Sequence, residues 1–497
     1  MNLADNLLKN YNEKPNKICL IQNDRKITYK ELYMEVSKFK KYLEEKGVTK
    51  NSKILILVPM SIDLYITLLS LWSIGATCCF MDAGFIKSGI IKNEFLEIDG
   101  IIGISKYLLY ANINKNLNGL SIKINTNVIK NLTLKKELKV EKLESETPAI
   151  LTYTSGTTGI PKIAARTHEF LQNQGEILEK YLDYEDDDIE LSTIPIFTLS
   201  NINVGITTVI AKANYSNLGN SNPKKLIKQL ENNNINRLMA SPGFLNVIIK
   251  YCIDNNIKLS NIKKIFTGGG AVFIDLIKEL EFICPNAKIV TLYGSTEAEP
   301  IAKLNINQIT KEDIRCIQNG NGILAGDIIG VDDCKTIQTK QKKLGKLSQS
   351  DFEKIQTNNI GEIVVTGKNV LKGYVNGIGD KENKFLVDND IYHRTGDLGL
   401  IDEKGRLWLR GRVKEPFFNI EAALHSKLKI GKTAVLKNND KIILVVERDN
   451  KVQEKDIKNA IKFENINEIK YVRKIPVDKR HSTKVDYNKL KKILKIK

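Results

Sequence analysis

This chain has no cysteine framework and no zinc signature. Seven cysteines stand at 19, 78, 79, 252, 284, 316 and 334, none in a C-x-x-C pair, and only four histidines are present. An odd, scattered set of this kind is expected as reduced, buried thiols, which points to the cytoplasm. Long apolar runs are also missing. The most apolar stretch, Leu64 to Phe80, is interrupted by Tyr65, Thr67, Ser70, Ser73, Gly75 and Thr77. It therefore reads as a buried helix followed by a strand, and no membrane span is expected. The opening residues, MNLADNLLKNYNEKPNK, lack the apolar core of a signal sequence. No internal repeat excludes itself from view here, because none of solenoid or propeller length is found. Aromatic residues do not interleave with the basic ones in the manner of a single-strand binder.

What is present sets a size and a class. A chain of 497 residues exceeds what one core serves, so two or more domains are expected. The apolar share of 42% suffices for real cores. Net charge is +18, and residues 411–497 carry 23 Lys and Arg against 11 Asp and Glu. Two thirds of the excess thus falls in the last sixth of the chain. Such a tail could meet nucleic acid, anionic lipid, a polyphosphate or an acidic protein, or could be a Lys-rich solvated surface.

The first half alternates β-rich runs with helical patterns. KILILV (Lys53 to Val58) precedes a helix through Leu71 and then TCCFMD; later come strands at Ala149 to Tyr153, Arg237 to Ala240 and KKIFTGGG, with a helix near Pro223 to Asn233. This alternation predicts α/β layers with partly parallel sheets. From Gly361 the texture turns strand-rich: GEIVVTG, GRLWLRG, KIILVVER, then a helical EKDIKNAIKF and a YVRKIPVD strand. The expected organisation is a large multi-subdomain N-terminal domain, 1–410, and a small mobile α+β domain, 411–497, joined at GRVKE.

One stretch departs from ordinary globular sequence. LTYTSGTTGIPK, Leu151 to Lys162, places hydroxyls of Thr154, Ser155, Thr157 and Thr158 among Gly156 and Gly159. Glycines let backbone N–H groups converge on an anion, and hydroxyls add uncharged donors, so the pattern suits a phosphate cradle. It is not a Walker loop, since no Lys-Ser or Lys-Thr follows the second glycine and Pro161 intervenes.

YTSGTTGIPK closely resembles the phosphate-loop signature of the adenylate-forming superfamily of acyl-CoA synthetases, adenylation domains and luciferases. Further stretches resemble that family's motifs in the same order: FTGGGAVF, TLYGSTEAEP, YHRTGDLGLIDEKGRLWLRGR and RHSTKVDYNKL. The resemblance implies a two-lobed enzyme that uses ATP and Mg²⁺ to activate a carboxylic acid. It places Thr154, Ser155, Gly156, Thr157, Thr158 and Gly159 around the β- and γ-phosphates with Lys162 nearby. It further implies Glu297 with Thr154 or Thr296 at Mg²⁺, Asp397 on the ribose with Arg412 in support, and Tyr293 stacked on adenine. Gly268, Gly269 and Gly270 would back the adenine, Gly294, Ser295 and Thr296 would belong to the nucleotide site, and Lys484 would be the catalytic lysine. Lys414 occupies the hinge position. Phe197, Leu199, Asn203 and Phe244 fall near the family's acyl pocket, and no Asp stands ready to grip an α-amino group, so a fatty or hydroxy acid is expected over an amino acid.

Three departures concern the second half-reaction. Thioester-forming members continue Gly-Arg toward a Lys-x-x-Gly loop that helps line the pantetheine tunnel; here GRVKEPFFNIEAALHSKL puts Phe418 and Glu421 at the counted lysine and glycine. Thr198 replaces a frequent His, and RHSTK replaces the frequent S-G-K. ARTH, EPFFN and the Arg-His-x-x-Lys ending instead resemble the β-lactone synthetases of bacterial olefin biosynthesis, in which the acid's own hydroxyl displaces AMP. The open alternatives are transfer to CoA or to an acidic acyl carrier protein, which a basic tail would help to dock. Of another class is a catalytically lapsed nucleotide binder. A nucleic-acid partner rests on net charge alone and is not expected.

Overall fold

The computed structural model describes residues 1–81, 97–133, 137–154, 162–341, 343–448, 452–478 and 482–496. They fall into two compact units, one of residues 1–211 with 371–381 and one of residues 212–370 with 382–497.

In the first unit the expected buried helix forms at Ile62–Ile74. Ser61 caps its start by accepting the Leu64 N–H, every residue but Asp63 is buried, and Gly75 ends it at φ 86°. The chain returns as the strand Thr77–Met81. Six strands form one sheet in the order Ile122–Asn125, Gly100–Gly103, Lys53–Leu57, Thr77–Met81, Pro148–Thr154, Lys162–Thr167. Neighbours run parallel except the last pair, which is antiparallel. Consecutive residues of Lys53–Leu57 and Gly100–Gly103 are buried, so both faces of these strands are covered, which is why the runs do not alternate.

The second unit begins as expected, with Arg237–Ala240, Lys264–Gly268 and Lys288–Ser295 side by side and parallel. The sheet then turns antiparallel through Ala298–Asn305, Ile323–Ile328, Arg406–Arg412, Asp390–Ile401 and Gly361–Thr366. Arg406 ties this sheet to the helix Lys311–Gln318: its guanidinium donates to both Asp313 oxygens, at 3.1 and 2.7 Å, and to Asp402 at 3.0 Å.

Residues beyond 411 build a three-stranded sheet in this same unit, with Thr433–Asn438 antiparallel to Lys441–Glu447 and Glu468–Val472 parallel to the latter. Its side chains alternate between two cores. Val435, Leu444 and Val446 face the helices Phe418–Lys427 and Glu454–Ala460, while Ala434, Leu436, Ile443 and Val445 face the helix Tyr487–Leu494. The strand expected at YVRKIPVD ends at Val472, and the chain beyond it closes a loop by the Val477–Val485 bridge.

All seven cysteines are unpaired, and six of them are buried. Among the described residues no helix is long and apolar enough to cross a membrane.

Candidate functional site

Within the second unit, most of the residues singled out beyond 260 come together. The strand Lys264–Gly268 ends in a glycine turn whose tightness is measurable. A Cβ on Gly268 would lie 2.4 Å from the Leu292 carbonyl oxygen of the adjacent strand, and Gly269 adopts φ 76°. That adjacent strand carries Tyr293, Gly294 and Ser295; Thr296 and Glu297 follow in the turn to Ala298–Asn305, and Glu297 is half-buried there. The Ser295 hydroxyl is buried without a hydrogen-bond partner among the described residues.

Asp397 lies opposite Arg412 in the antiparallel pairing of Asp390–Ile401 with Arg406–Arg412. Its carboxylate is held from two sides: Arg412 Nε is 3.0 Å from Oδ1, and the Tyr293 hydroxyl donates to Oδ2 at 2.8 Å. Arg412 also donates to the Thr395 carbonyl at 3.0 Å, and Thr395 Oγ1 accepts the Asp397 N–H at 3.1 Å. Burial pushes the Asp397 carboxyl above the usual range, against the opposing pull of the Arg412 guanidinium, the Tyr293 hydroxyl and the Lys484 ammonium. Burial likewise pushes the Tyr293 hydroxyl well up, with the Asp397 charge adding to it. Lys484 is thus one of the cations whose charge favours ionised Asp397.

Lys484 sits on a loop that folds onto the unit. Its N–H donates to Asp478 Oδ1 and its carbonyl accepts the Asp478 N–H, both at 2.8 Å. Two residues that sequence reasoning noted only as a departure, Ser482 and Thr483, make the contacts. Ser482 Oγ accepts the Gly219 N–H at 2.9 Å and Thr483 Oγ1 accepts the Gly243 N–H at 3.0 Å. The Tyr293–Asp397 hydrogen bond was also unanticipated, since only a ring-stacking role was read for Tyr293. Exposed Lys414 stands in a turn closed by Arg412 N–H to Glu415 O at 2.9 Å, and a helix starts at Phe418. Phe244 is wholly buried in the helix Pro242–Asp254.

The remaining residues belong to the first unit. Thr154 and Lys162 are Cα partners at the end of the hairpin Pro148–Thr154/Lys162–Thr167. Ser155, Gly156, Thr157, Thr158 and Gly159 lie outside the described residues, as does the Thr154 side chain. Lys162 Nζ stands 5.3 Å from the Tyr374 ring centroid. Gly379, at φ 96°, accommodates the Lys162 stem, which a Cβ there would meet at 2.7 Å. Leu199 and Asn203 line a small recess with Leu171, Gly175 and Trp72, whereas Phe197 is buried outside that lining.

Residues 7–375 match the family model described as AMP-binding enzyme. The chain is 26% identical over 276 residues to an olefin β-lactone synthetase of Stenotrophomonas maltophilia, covering 54% of this chain and 49% of that protein. It spans about half the length of the curated β-lactone synthetases it matches. It is 23% identical to 4-coumarate–CoA ligase 1 of Arabidopsis thaliana, over 96% of this chain and 90% of that one. In fold it is similar to ATP-bound MatB from Rhodopseudomonas palustris, with a TM-score of 0.80 at 17% identity, covering 100% of this chain and 99% of that one.

Proposed function

The chain belongs to the AMP-binding enzyme family, and from that premise we propose that it is an AMP-forming ligase that activates a carboxylic acid as an acyl-adenylate. Asp397 carries this reading. A carboxylate fixed by Arg412 and Tyr293, with the Lys484 charge close by, has the acceptors to hold two ribose hydroxyls while a cation waits beside them.

In the proposed step an oxygen of the acid forms a bond to the α-phosphorus of ATP. The α–β anhydride breaks, and its electron pair leaves with pyrophosphate. Two anions must approach, so the residues chiefly neutralise and orient. Lys484 would stabilise the charge growing on the carboxylate and α-phosphate oxygens. Gly268 to Gly270 and Tyr293 would hold the adenine, with Gly294, Ser295 and Thr296 beside it. Thr154 to Gly159 and Lys162 would hold the outer phosphates. Glu297 with Thr154 would hold Mg²⁺, which supplies positive charge to the phosphates when bound. The carboxylate of half-buried Glu297, two positions along the chain from a Ser295 hydroxyl that lacks a partner among the described residues, offers the oxygen donors that a hard cation prefers.

For the second half-reaction, the direct passage from the 412–415 turn into the helix at Phe418 favours a route without a pantetheine loop. In that route the β-hydroxyl oxygen of the bound acid attacks the acyl carbon, the acyl–AMP bond breaks, and the hydroxyl proton is released to give a β-lactone. The second reading is a thioester with CoA or an acidic carrier protein, supported by the basic residues after 411. Phe197, Leu199, Asn203 and Phe244 remain the proposed acyl-pocket residues, Lys414 the proposed hinge, and residues 411–497 the proposed lid.

The test is incubation with ATP, Mg²⁺ and a panel of fatty and β-hydroxy acids, with and without CoA, followed by mass analysis. Release of pyrophosphate with some acid is required. A lactone supports the first route and a CoA-dependent thioester the second. No pyrophosphate with any acid rejects adenylation and leaves a nucleotide binder.

A further inference from the structure

The loop around Lys484 is attached to the rest of its unit in a way that its own sequence explains. The helix Pro242–Asp254 begins at Ser241, yet Ser241 makes no side-chain capping bond. The first N–H groups of a helix have no partner within it and need one from outside. Gly243 finds that partner in Thr483 Oγ1, 3.0 Å away, from 240 residues along the chain. The Thr483 methyl meanwhile fills the space beside Gly270, where a Cβ would sit 2.4 Å from Cγ2. Ser482, only 5% exposed, accepts the Gly219 N–H at 2.9 Å, and Lys432 Nζ reaches the Ser482 carbonyl at 3.3 Å. Asp478 closes the loop from behind by accepting the N–H groups of Thr483 and Lys484.

We propose that Ser482 and Thr483 are positioning residues that latch the Lys484 loop to Gly219 and to the uncapped helix N-terminus at Gly243, and so hold the lysine over the site. The proposal deepens the adenylation reading and rests on it. Lys484 itself is exposed and its side chain is long, so a fixed backbone is what limits where its ammonium can go. The hydroxyl-bearing Ser-Thr pair supplies acceptors that a Ser-Gly pair in the same place would halve.

The test compares Thr483→Val, Thr483→Ser and Ser482→Ala with the parent protein. Two readouts are taken: the rate and ATP KM of pyrophosphate release, and backbone amide exchange at Gly243 and Gly219 without nucleotide. Thr483→Val keeps the shape and removes the acceptor. It is expected to speed Gly243 exchange and lower kcat by about tenfold, the loss of one hydrogen bond, while ATP KM stays within about twofold. Thr483→Ser, which restores the oxygen, is expected to recover both readouts. Ser482→Ala should do the same to Gly219 exchange as Thr483→Val does to Gly243. Faster exchange with unchanged kcat would mean a purely structural cap and overturn the positioning role. Unchanged exchange, or failure of Thr483→Ser to recover kcat, would overturn the latch itself. A parent protein that releases no pyrophosphate would instead reject adenylation, and the exchange data would still decide the contact.

Discussion

Tyr293 shows how one side chain carries two duties. Its ring packs against the apolar cluster that holds Ala298, Ile301 and Ala302, and its hydroxyl donates to Asp397 at 2.8 Å. Tyr293→Phe keeps the ring and removes a donor that favours the ionised carboxylate. The Asp397 pKa should therefore rise further, and nucleotide binding should weaken several-fold, as expected for a net loss of about 1 kcal/mol. Titration calorimetry with ATP across pH would read this; an acid limb unmoved from that of the parent would refute the pairing. Lys484→Ala is expected to slow adenylate formation by about 10²-fold or more, the loss typical of one transition-state donor. It also removes a charge that favours ionised Asp397, so the acid limb should move to higher pH. Pyrophosphate exchange within a few-fold of the parent rate would deny Lys484 its role.

The helix Phe418–Lys427 is the element where reading by motif and folding diverge. By count, Phe418 and Glu421 occupy the lysine and glycine places of a flexible loop; they belong instead to a helix whose residues 419–425 are all buried. The helix packs among neighbours on several sides: Phe273 stacks on His425 at 4.5 Å, and Asp275 pairs with the same ring at 2.5 Å. Glu421 is enclosed with its Oε1 accepting the Val435 N–H at 3.2 Å, and burial pushes its pKa from 4.5 up to about 8. A raised acid pKa means the native state binds more protons than the unfolded chain between those values. Stability contributed here is whole below pH 4.5 and declines as pH rises to about 8, with a slope of at most about 1.4 kcal/mol per unit. Glu421→Gln should flatten that decline and be relatively more stable above pH 8. Parallel Tm-against-pH curves for the two proteins would show that Glu421 is not the group responsible.

At the scale of the molecule, charge and product are the open quantities. The +18 excess, concentrated after residue 411, would by itself predict steeply salt-dependent binding to DNA. The basic residues there follow a globular α+β pattern with two apolar cores, and no gel shift with duplex DNA is expected at physiological salt. A shift that vanishes on raising the salt would reopen that reading.

The order of strands and helices was legible because period and punctuation are local properties. KILILV, the interrupted helix after it, TCCFM and KKIFTG all form where their patterns place them. Membership of the AMP-binding enzyme family was legible as well, because the motifs that carry the resemblance are glycine turns and short polar signatures written contiguously. Contacts across the chain were not. Tyr293 meets Asp397 over 104 residues and Thr483 meets Gly243 over 240. No window of sequence contains both partners, and their meeting depends on how whole elements pack. The same limit hid Glu421, whose chemistry is set by the dielectric of its surroundings and not by its neighbours in sequence. The amino-acid order determined which groups were available and which segments would be strand or helix. Tertiary packing decided which hydroxyl would hold which amide, because hydrogen bonds and burial act through space.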